Sequence, residues 1–221
     1  MKSTVYFAGV RARSFQDNKQ NRIMGLFDAA GLNDAVRKGD LTAIKIHFGE
    51  MGNDSYVNPV LVRPIADKIR ALGAKPFLTD TNTLYGGSRA NAVDHLQTAA
   101  EHGFVPAVAG APAIIADGLQ GDNYREVPID GKHFRHVMIA GEIASSHSMI
   151  VVSHFKAHLP AGFGGAIKNL GMGCAPALGK AAQHSARPIF NASLCSGCRA
   201  CMDNCPNQAI TVKERISAVD A

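Results

Sequence analysis

Thr42-Ala-Ile-Lys-Ile-His-Phe48 reads as a β-strand. Alternate residues of an extended chain face the same way, so Ile44, Ile46 and Phe48 form one apolar face and leave Lys45 and His47 on the other. Residues 59–72 follow with helical spacing, closed by Gly73, and Phe77-Leu-Thr-Asp-Thr81 is a second, short buried strand. Strand, helix, strand is the unit from which parallel sheets are built. Outward from it, residues 4–10 read as an opening strand and residues 21–38 as a helix broken near Gly31. Residues 89–102 read as a helix capped by Ser88 and ended by Gly103. Between Pro106 and Glu142, short strands are expected at 113–116, 124–129 and 136–139, in an antiparallel arrangement. Met149-Ile-Val-Val-Ser153 is the clearest core strand, and a glycine-rich segment from Gly162 leads into a helix at 166–170. The expected fold class is α/β, a mostly parallel sheet flanked by helices.

The second signal is chemical. Four of the five cysteines stand as Cys195-x2-Cys198-x2-Cys201-x3-Cys205-Pro206, the spacing that bacterial ferredoxins use for a 4Fe-4S cluster. A single tight loop turns the first three thiolates onto three corners of one cluster, and Pro206 stiffens its exit. Structural zinc usually takes two separated Cys-x2-Cys pairs, and a disulfide framework does not suit a chain with one cysteine before Cys195. In two-cluster ferredoxins the fourth cysteine serves the other cluster, but a second copy of the motif is missing and the sequence given stops sixteen residues after Cys205. The expectation is therefore an α/β ligand-binding domain at 1–190 and a truncated ferredoxin-like half-module at 191–221. Cys195, Cys198, Cys201 and Cys205 are its candidate metal ligands. The cluster is then absent from this chain unless Cys174 or Cys205 supplies the closing ligand.

Composition narrows the classes further. With 46% apolar residues and a mean hydropathy of −0.01, the chain can bury one full core plus a small appendage. No stretch approaches the roughly 20 apolar residues of a membrane span, and residues 5–10 are too short for a signal peptide. Cluster-type thiols require a reducing compartment, so the expected location is cytoplasmic, with no membrane partner. The net charge of +5 is spread along the chain with no basic block or aromatic ladder, which argues against nucleic acid and leaves room for an acidic redox partner such as a ferredoxin.

Polar residues collect where strands end: Lys45, His47 and Glu50; Asp80, Thr81 and Asn82; His154, Lys156 and His158. Ligands of open parallel sheets bind outside the carboxyl ends of the strands, so three such ends point to one cleft. The densest segment runs from Ser153 to Cys174. Its glycines, Gly164 and Gly165 among them, let backbone approach a ligand, and the helix after Gly165 would offer N–H groups to a phosphate or carboxylate. Its Gly-x-Gly-Gly spacing is neither a dinucleotide fingerprint nor a Walker loop. A tight turn packed on the sheet is the structural alternative.

The run His154-x-Lys156-x-His158-x3-Gly162-Phe-Gly-Gly165-x2-Lys168-Asn169-Leu-Gly171-x-Gly173-Cys174, followed by the cysteine motif, resembles the iron–sulfur family catalogued as domain of unknown function 362. The resemblance covers nearly the whole chain, including Lys45-Ile-His-Phe-Gly-Glu50 and Asp80-Thr-Asn82. It implies two ferredoxin motifs where this sequence has one. A local resemblance to lactate racemases that use a nickel-pincer nucleotide rests on His158, the Ala161-Gly-Phe-Gly-Gly165 turn, Lys168 and His184. That resemblance implies Lys168 as anchor of a pincer-type cofactor, His184 as nickel ligand and His158 as acid or base. Gly164 stands where those racemases have Ser, and they lack the ferredoxin module.

The leading expectation is an iron–sulfur oxidoreductase. Its α/β domain binds a small anionic substrate or cofactor, and its C-terminal module transfers electrons. His158, Lys168 and His47 are the candidate catalytic residues. Lys45, Asp80, Asn82, His154, Lys156, Gly164 and Gly165 are the candidate binding residues, cations fixing anionic groups and His moving protons. The rivals are a non-catalytic electron carrier or scaffold and a pincer-dependent racemase or epimerase.

Overall fold

The computed structural model describes residues 3–158, 161–184, 190–203, 205, 210–213 and 216–219. The chain divides into two units, Met1–Gln183 and His184–Ala221. The first begins with α1 (Lys19–Ala29), a 3₁₀ turn (Leu32–Ala35), β1 (Leu41–Lys45), α2 (Pro59–Ala71) and β2 (Lys75–Asp80). α3 (Ala92–Glu101), α4 (Pro106–Ala109), β3 (Ala113–Ile115), β4 (Tyr124–Pro128) and β5 (His136–Ala140) follow. Then come α5 (Gly141–Ser145), β6 (Ser148–Val151), β7 (Lys156–His158), β8 (Gly162–Gly164), α6 (Ala166–Gly171) and α7 (Ala177–His184).

The main sheet has the order β3-β2-β1-β6, and every pairing in it is parallel. Register places Leu78, Ile44 and Ile150 side by side across β2, β1 and β6. This row is buried with Phe27 of α1 and with Val62, Ile65 and Ile69 of α2 in the larger of two apolar clusters. A smaller cluster gathers Ala116, Ala140, Ile143 and Cys174. Helices flank the sheet, so the fold is α/β.

Local chemistry explains the element bounds. Asn58 accepts from the Val60 N–H at the start of α2, with Pro59 next to it. Pro64 sits inside that helix and has no N–H for the carbonyl four residues back. That carbonyl, on Val60, accepts from Gln20 Nε2 instead (3.2 Å). α1 starts two residues earlier than its periodicity predicts, because Asn18 caps it by accepting from the Asn21 N–H.

Three expectations are corrected. Residues 4–10 form no strand: Val5 and Phe7 are exposed, and the central strand β1 already has β2 and β6 on its two edges. The break expected near Gly31 is present: α1 ends at Ala29 and a separate 3₁₀ turn follows Gly31. Ser88 caps no helix, because Asn91 takes that role and Ser88 bonds Glu50. Of the three strands expected to be antiparallel, only β4 and β5 are, and β3 joins the parallel sheet.

The second unit carries the cysteine loop, α8 (Ala200–Asp203) and an antiparallel ribbon of β9 (Ile210–Lys213) and β10 (Ile216–Val219). Pro206 lies outside the described residues. Among the described residues no helix is long and apolar enough to cross a membrane.

Truncating Ile44, fully buried in the central strand, to Ala is expected to cost about 2–5 kcal/mol. Val5→Ala, at an exposed position, should change stability by less than about 0.5 kcal/mol. Denaturant midpoints of the two variants check both values.

Candidate functional site

The strand order turns back at β1: β2 and β3 lie on one side and β6 on the other. Chain segments leaving β1 and β6 diverge at such a switch point and leave a crevice beyond the carboxyl ends of the strands. His47 follows β1 and His154 follows β6, and their rings meet edge-on with centroids 6.1 Å apart. Gly49 N–H donates to His47 Nδ1 (2.9 Å), so the neutral ring carries its proton on Nε2.

Beneath them lies a buried network of charge. Lys45 Nζ, fully buried, donates to Asp80 Oδ1 (2.9 Å) and to Asn169 Oδ1 (2.6 Å) of α6. Arg89 reaches Asp80 Oδ2 (3.4 Å) and Glu50 Oε2 (3.1 Å), and Glu50 also accepts from the Ser88 N–H (2.7 Å). Asn169 turns its amide to the Val152 carbonyl and Ser153 Oγ, which fixes the exit of β6. Gly173 is required by close approach, since a Cβ there would stand 2.5 Å from Lys45 Nζ.

Lys156 lies in β7, and Lys168, in α6, contacts His158 Nε2. Four sequence-distant segments thus converge on one end of the sheet, bringing Lys45, His47, Asp80, His154, Lys156, His158 and Lys168 together. Gly164 is buried in β8, and Gly165 precedes α6. α6 is six residues long, too short to supply the helix-end site expected after Gly165, and Lys156 and Lys168 are the cations nearest it. Asn82 sits to one side: its N–H donates to Asp117 Oδ1 and its amide to the Gly118 carbonyl. Lys180 Nζ donates to Thr81 Oγ1 (2.6 Å) and to the Ala175 carbonyl, tying α7 to the end of β2. His184 is exposed at the end of α7, where the second unit begins.

Burial and charge set the protonation states. Burial pulls His47 down to about 3, with Asp80 opposing and Arg89, Lys156 and Lys45 adding to the shift, so it is neutral at physiological pH. Burial also lowers His95, fully buried on α3, to about 4. Burial would raise the Asp80 carboxyl, but Lys45, the histidines and Arg89 outweigh it and hold the acid well below the usual carboxylate range. Burial raises Asp117 to about 6 and lowers Lys180 to about 8.

In the second unit, Cys195, Cys198 and Cys201 line one cavity of about 400 Å³ together with Leu194, Arg199 and Ser217. Ser217 Oγ on β10 is 3.5 Å from Cys195 Sγ and 3.3 Å from Cys201 Sγ. The Ser217 hydroxyl, then the Gly197 backbone, holds the Cys195 thiol below its ordinary value, and the Ala200 N–H does the same for Cys198. Cys205 does not line this cavity. Cys174 is buried among Ala116, Ala140 and Ile143 of the first unit, and burial raises its thiol.

Sequence reasoning passed over Arg89, His95, Asp117, Lys180 and Ser217. The spacing of His95, Thr98 and Ala99 marks the buried face of α3, a signal that was available for His95. Arg89, Lys180 and Ser217 carry no local signal, because their partners lie far away in sequence.

The family model described as Domain of unknown function (DUF362) matches residues 42–220. The match covers most of the 221 residues, and the chain belongs to that family. No curated protein and no solved structure matches it.

His47 and His95 are neutral when folded and titrate near 6.5 when unfolded, so between those values the unfolded chain binds more protons. Stability is then full above pH about 6.5 and falls as pH drops toward about 4, by ~1.4 kcal/mol per pH unit for each group. Neither ring nitrogen of His95 is hydrogen-bonded among the described residues, so His95→Leu should fold and flatten this slope. Urea titrations at a series of pH values measure it.

Proposed function

We propose that this member of the domain of unknown function 362 family is an iron–sulfur oxidoreductase of two parts. The α/β unit binds a small anionic substrate or cofactor at the switch point, and the second unit carries a 4Fe-4S cluster that exchanges electrons with a redox partner protein such as a ferredoxin. The observation that carries this reading is the cavity lined by Cys195, Cys198 and Cys201.

The donor types suit the group: three thiols at cluster spacing line one cavity, and two of them are held toward the thiolate form that binds iron. Among the described residues no three His, Cys, Asp or Glu side chains are grouped closely enough to hold a metal ion, so the loop would draw its thiolates together on the cluster. Cys205, outside that space, is the cysteine that this type of run directs to a different cluster. When bound, such a cluster supplies one-electron transfer. The Ser217 hydroxyl lies against two of the sulfurs, where a hydrogen bond tunes the reduction potential. In the α/β unit, His47 offers its Nε2 proton to a ligand, and Lys156 and Lys168 fix negative charge.

Convergent neutral histidines and lysines in a crevice favour an enzyme over a plain carrier, which needs no such cleft. A racemase or epimerase is the second reading, favoured by the contact between Lys168 and His158 at the spacing of the nickel-pincer enzymes. Nickel in the purified protein, or an adduct on Lys168, would promote it.

Anaerobic reconstitution with iron and sulfide is expected to give a brown thiolate-to-iron chromophore in the wild-type chain. Cys198→Ala should abolish it, and loss of most of it in Cys174→Ala or in Cys205→Ala identifies the closing ligand. Unchanged absorbance in Cys198→Ala would sink the cluster assignment.

A further inference from the structure

The charges around the switch point do not cancel. Lys45 and Arg89 are matched by Asp80 and Glu50 through ion pairs of 2.9 to 3.4 Å. Lys180 and Asp117 offset one another nearby. Lys156 and Lys168 are left over, and neither forms an ion pair with a carboxylate among the described residues. Burial lowers both, with Arg89 adding to the effect at Lys156 and Lys156 adding to it at Lys168. The fold therefore holds two like charges next to each other at some cost.

Their positions are tightly defined. A Cβ built on Gly164 would lie 3.5 Å from Lys168 Cδ, 3.8 Å from Lys156 Cγ and 3.9 Å from Lys156 Cε. Both stems thus flank a single point over the β7–β8 hairpin. Register sets Gly164 opposite Lys156 and Gly162 opposite His158, so this face of the hairpin carries side chains from β7 alone. A Cβ on Gly162 would meet nothing within 4 Å. No side chain of β8 fills the space that ordinary cross-strand partners of Lys156 and His158 would occupy.

We infer that Lys156 and Lys168 together take one compact, doubly negative group, so that the ligand of the cleft is a phosphate monoester. The inference rests on the anion-binding reading of the α/β unit and adds the charge and shape of the group bound. Two ammonium groups on adjacent stems suit the several oxygens of a single phosphoryl group, whereas the two carboxylates of a dicarboxylic acid need cations set apart. His47 Nε2–H and His154 stand at the same crevice as further polar contacts.

The test is calorimetric titration of the full chain with inorganic phosphate, succinate and acetate at matched ionic strength, at pH about 8, where phosphate is largely dianionic. Phosphate should bind at least about tenfold more tightly than acetate, and more tightly than succinate. Lys156→Met and Lys168→Met should each weaken phosphate about tenfold, the loss of one hydrogen bond to a charged group, with little change for acetate. Each variant relieves a repulsion, so its melting temperature without anion should hold or rise. Phosphate should raise the melting temperature of the wild-type chain more than that of either variant. Acetate binding as tightly as phosphate would overturn the dianion inference and leave the anion cleft standing. Succinate binding more tightly than phosphate would replace the phosphoryl group with a dicarboxylate. Failure of all three anions to bind would overturn the inference and the cleft reading together. The wild-type comparison of the three anions stands even if a variant fails to fold.

Discussion

A charged lysine with no solvent exposure at the end of a central strand needs a carboxylate beside it, and here the pair is Lys45 and Asp80. Removing one partner of such a pair leaves an uncompensated buried charge, at about 3–5 kcal/mol. The surroundings are arranged around that constraint. Asn169 satisfies a second Lys45 donor and turns its own amide to the end of β6. Gly173 carries no side chain where the ammonium needs the room, and Arg89 shares the other Asp80 oxygen. One ion pair thus sets the relative positions of β1, β2, α6 and the loop beyond it.

The same arrangement separates structural charge from charge held for another purpose. Lys45 and Arg89 are consumed by carboxylates of the chain itself, so they rigidify the floor of the crevice. Lys156 stands on the two-stranded hairpin of β7 and β8, with glycines across from the side chains of β7, and Lys168 stands on α6. The two histidines at the switch point are kept neutral or pushed toward neutrality, because burial disfavours their charged forms. A neutral imidazole next to ammonium groups can give or take a proton without adding to their repulsion.

Much of this was readable from residue types. The apolar alternation at 42–48 and the Gly-closed helix at 59–72 led to β1 and α2, and the ionisable residues just past the strands led to the end of the sheet where the cleft lies. Periodicity could not choose between parallel and antiparallel for the three-residue strand β3, since so short an apolar run carries no direction. It also turned residues 4–10 into a strand, although the pattern only records apolar character and says nothing of which edges remain to pair. Ser88 looked like a cap because its hydroxyl suits one, but Glu50 competed for it from far along the chain. Arg89, Lys180 and Ser217 were invisible for the same reason: their meaning depends on partners that only the tertiary fold supplies.

Sequence separation gives the cleft a place in time as well as space. Lys45 and Asp80 are 35 residues apart, whereas Thr42 and Ser148, which join β1 to β6, are 106 apart, and Lys45 and Asn169 are 124 apart. Distant contacts form only after the loop-closure cost has been met, and a chain emerging from the ribosome completes its early segments first. The β1–α2–β2 portion can therefore gather its core while the switch point has only one of its two walls. The crevice closes when β6 docks and α6 follows, so the switch point is the last part of this unit to be born.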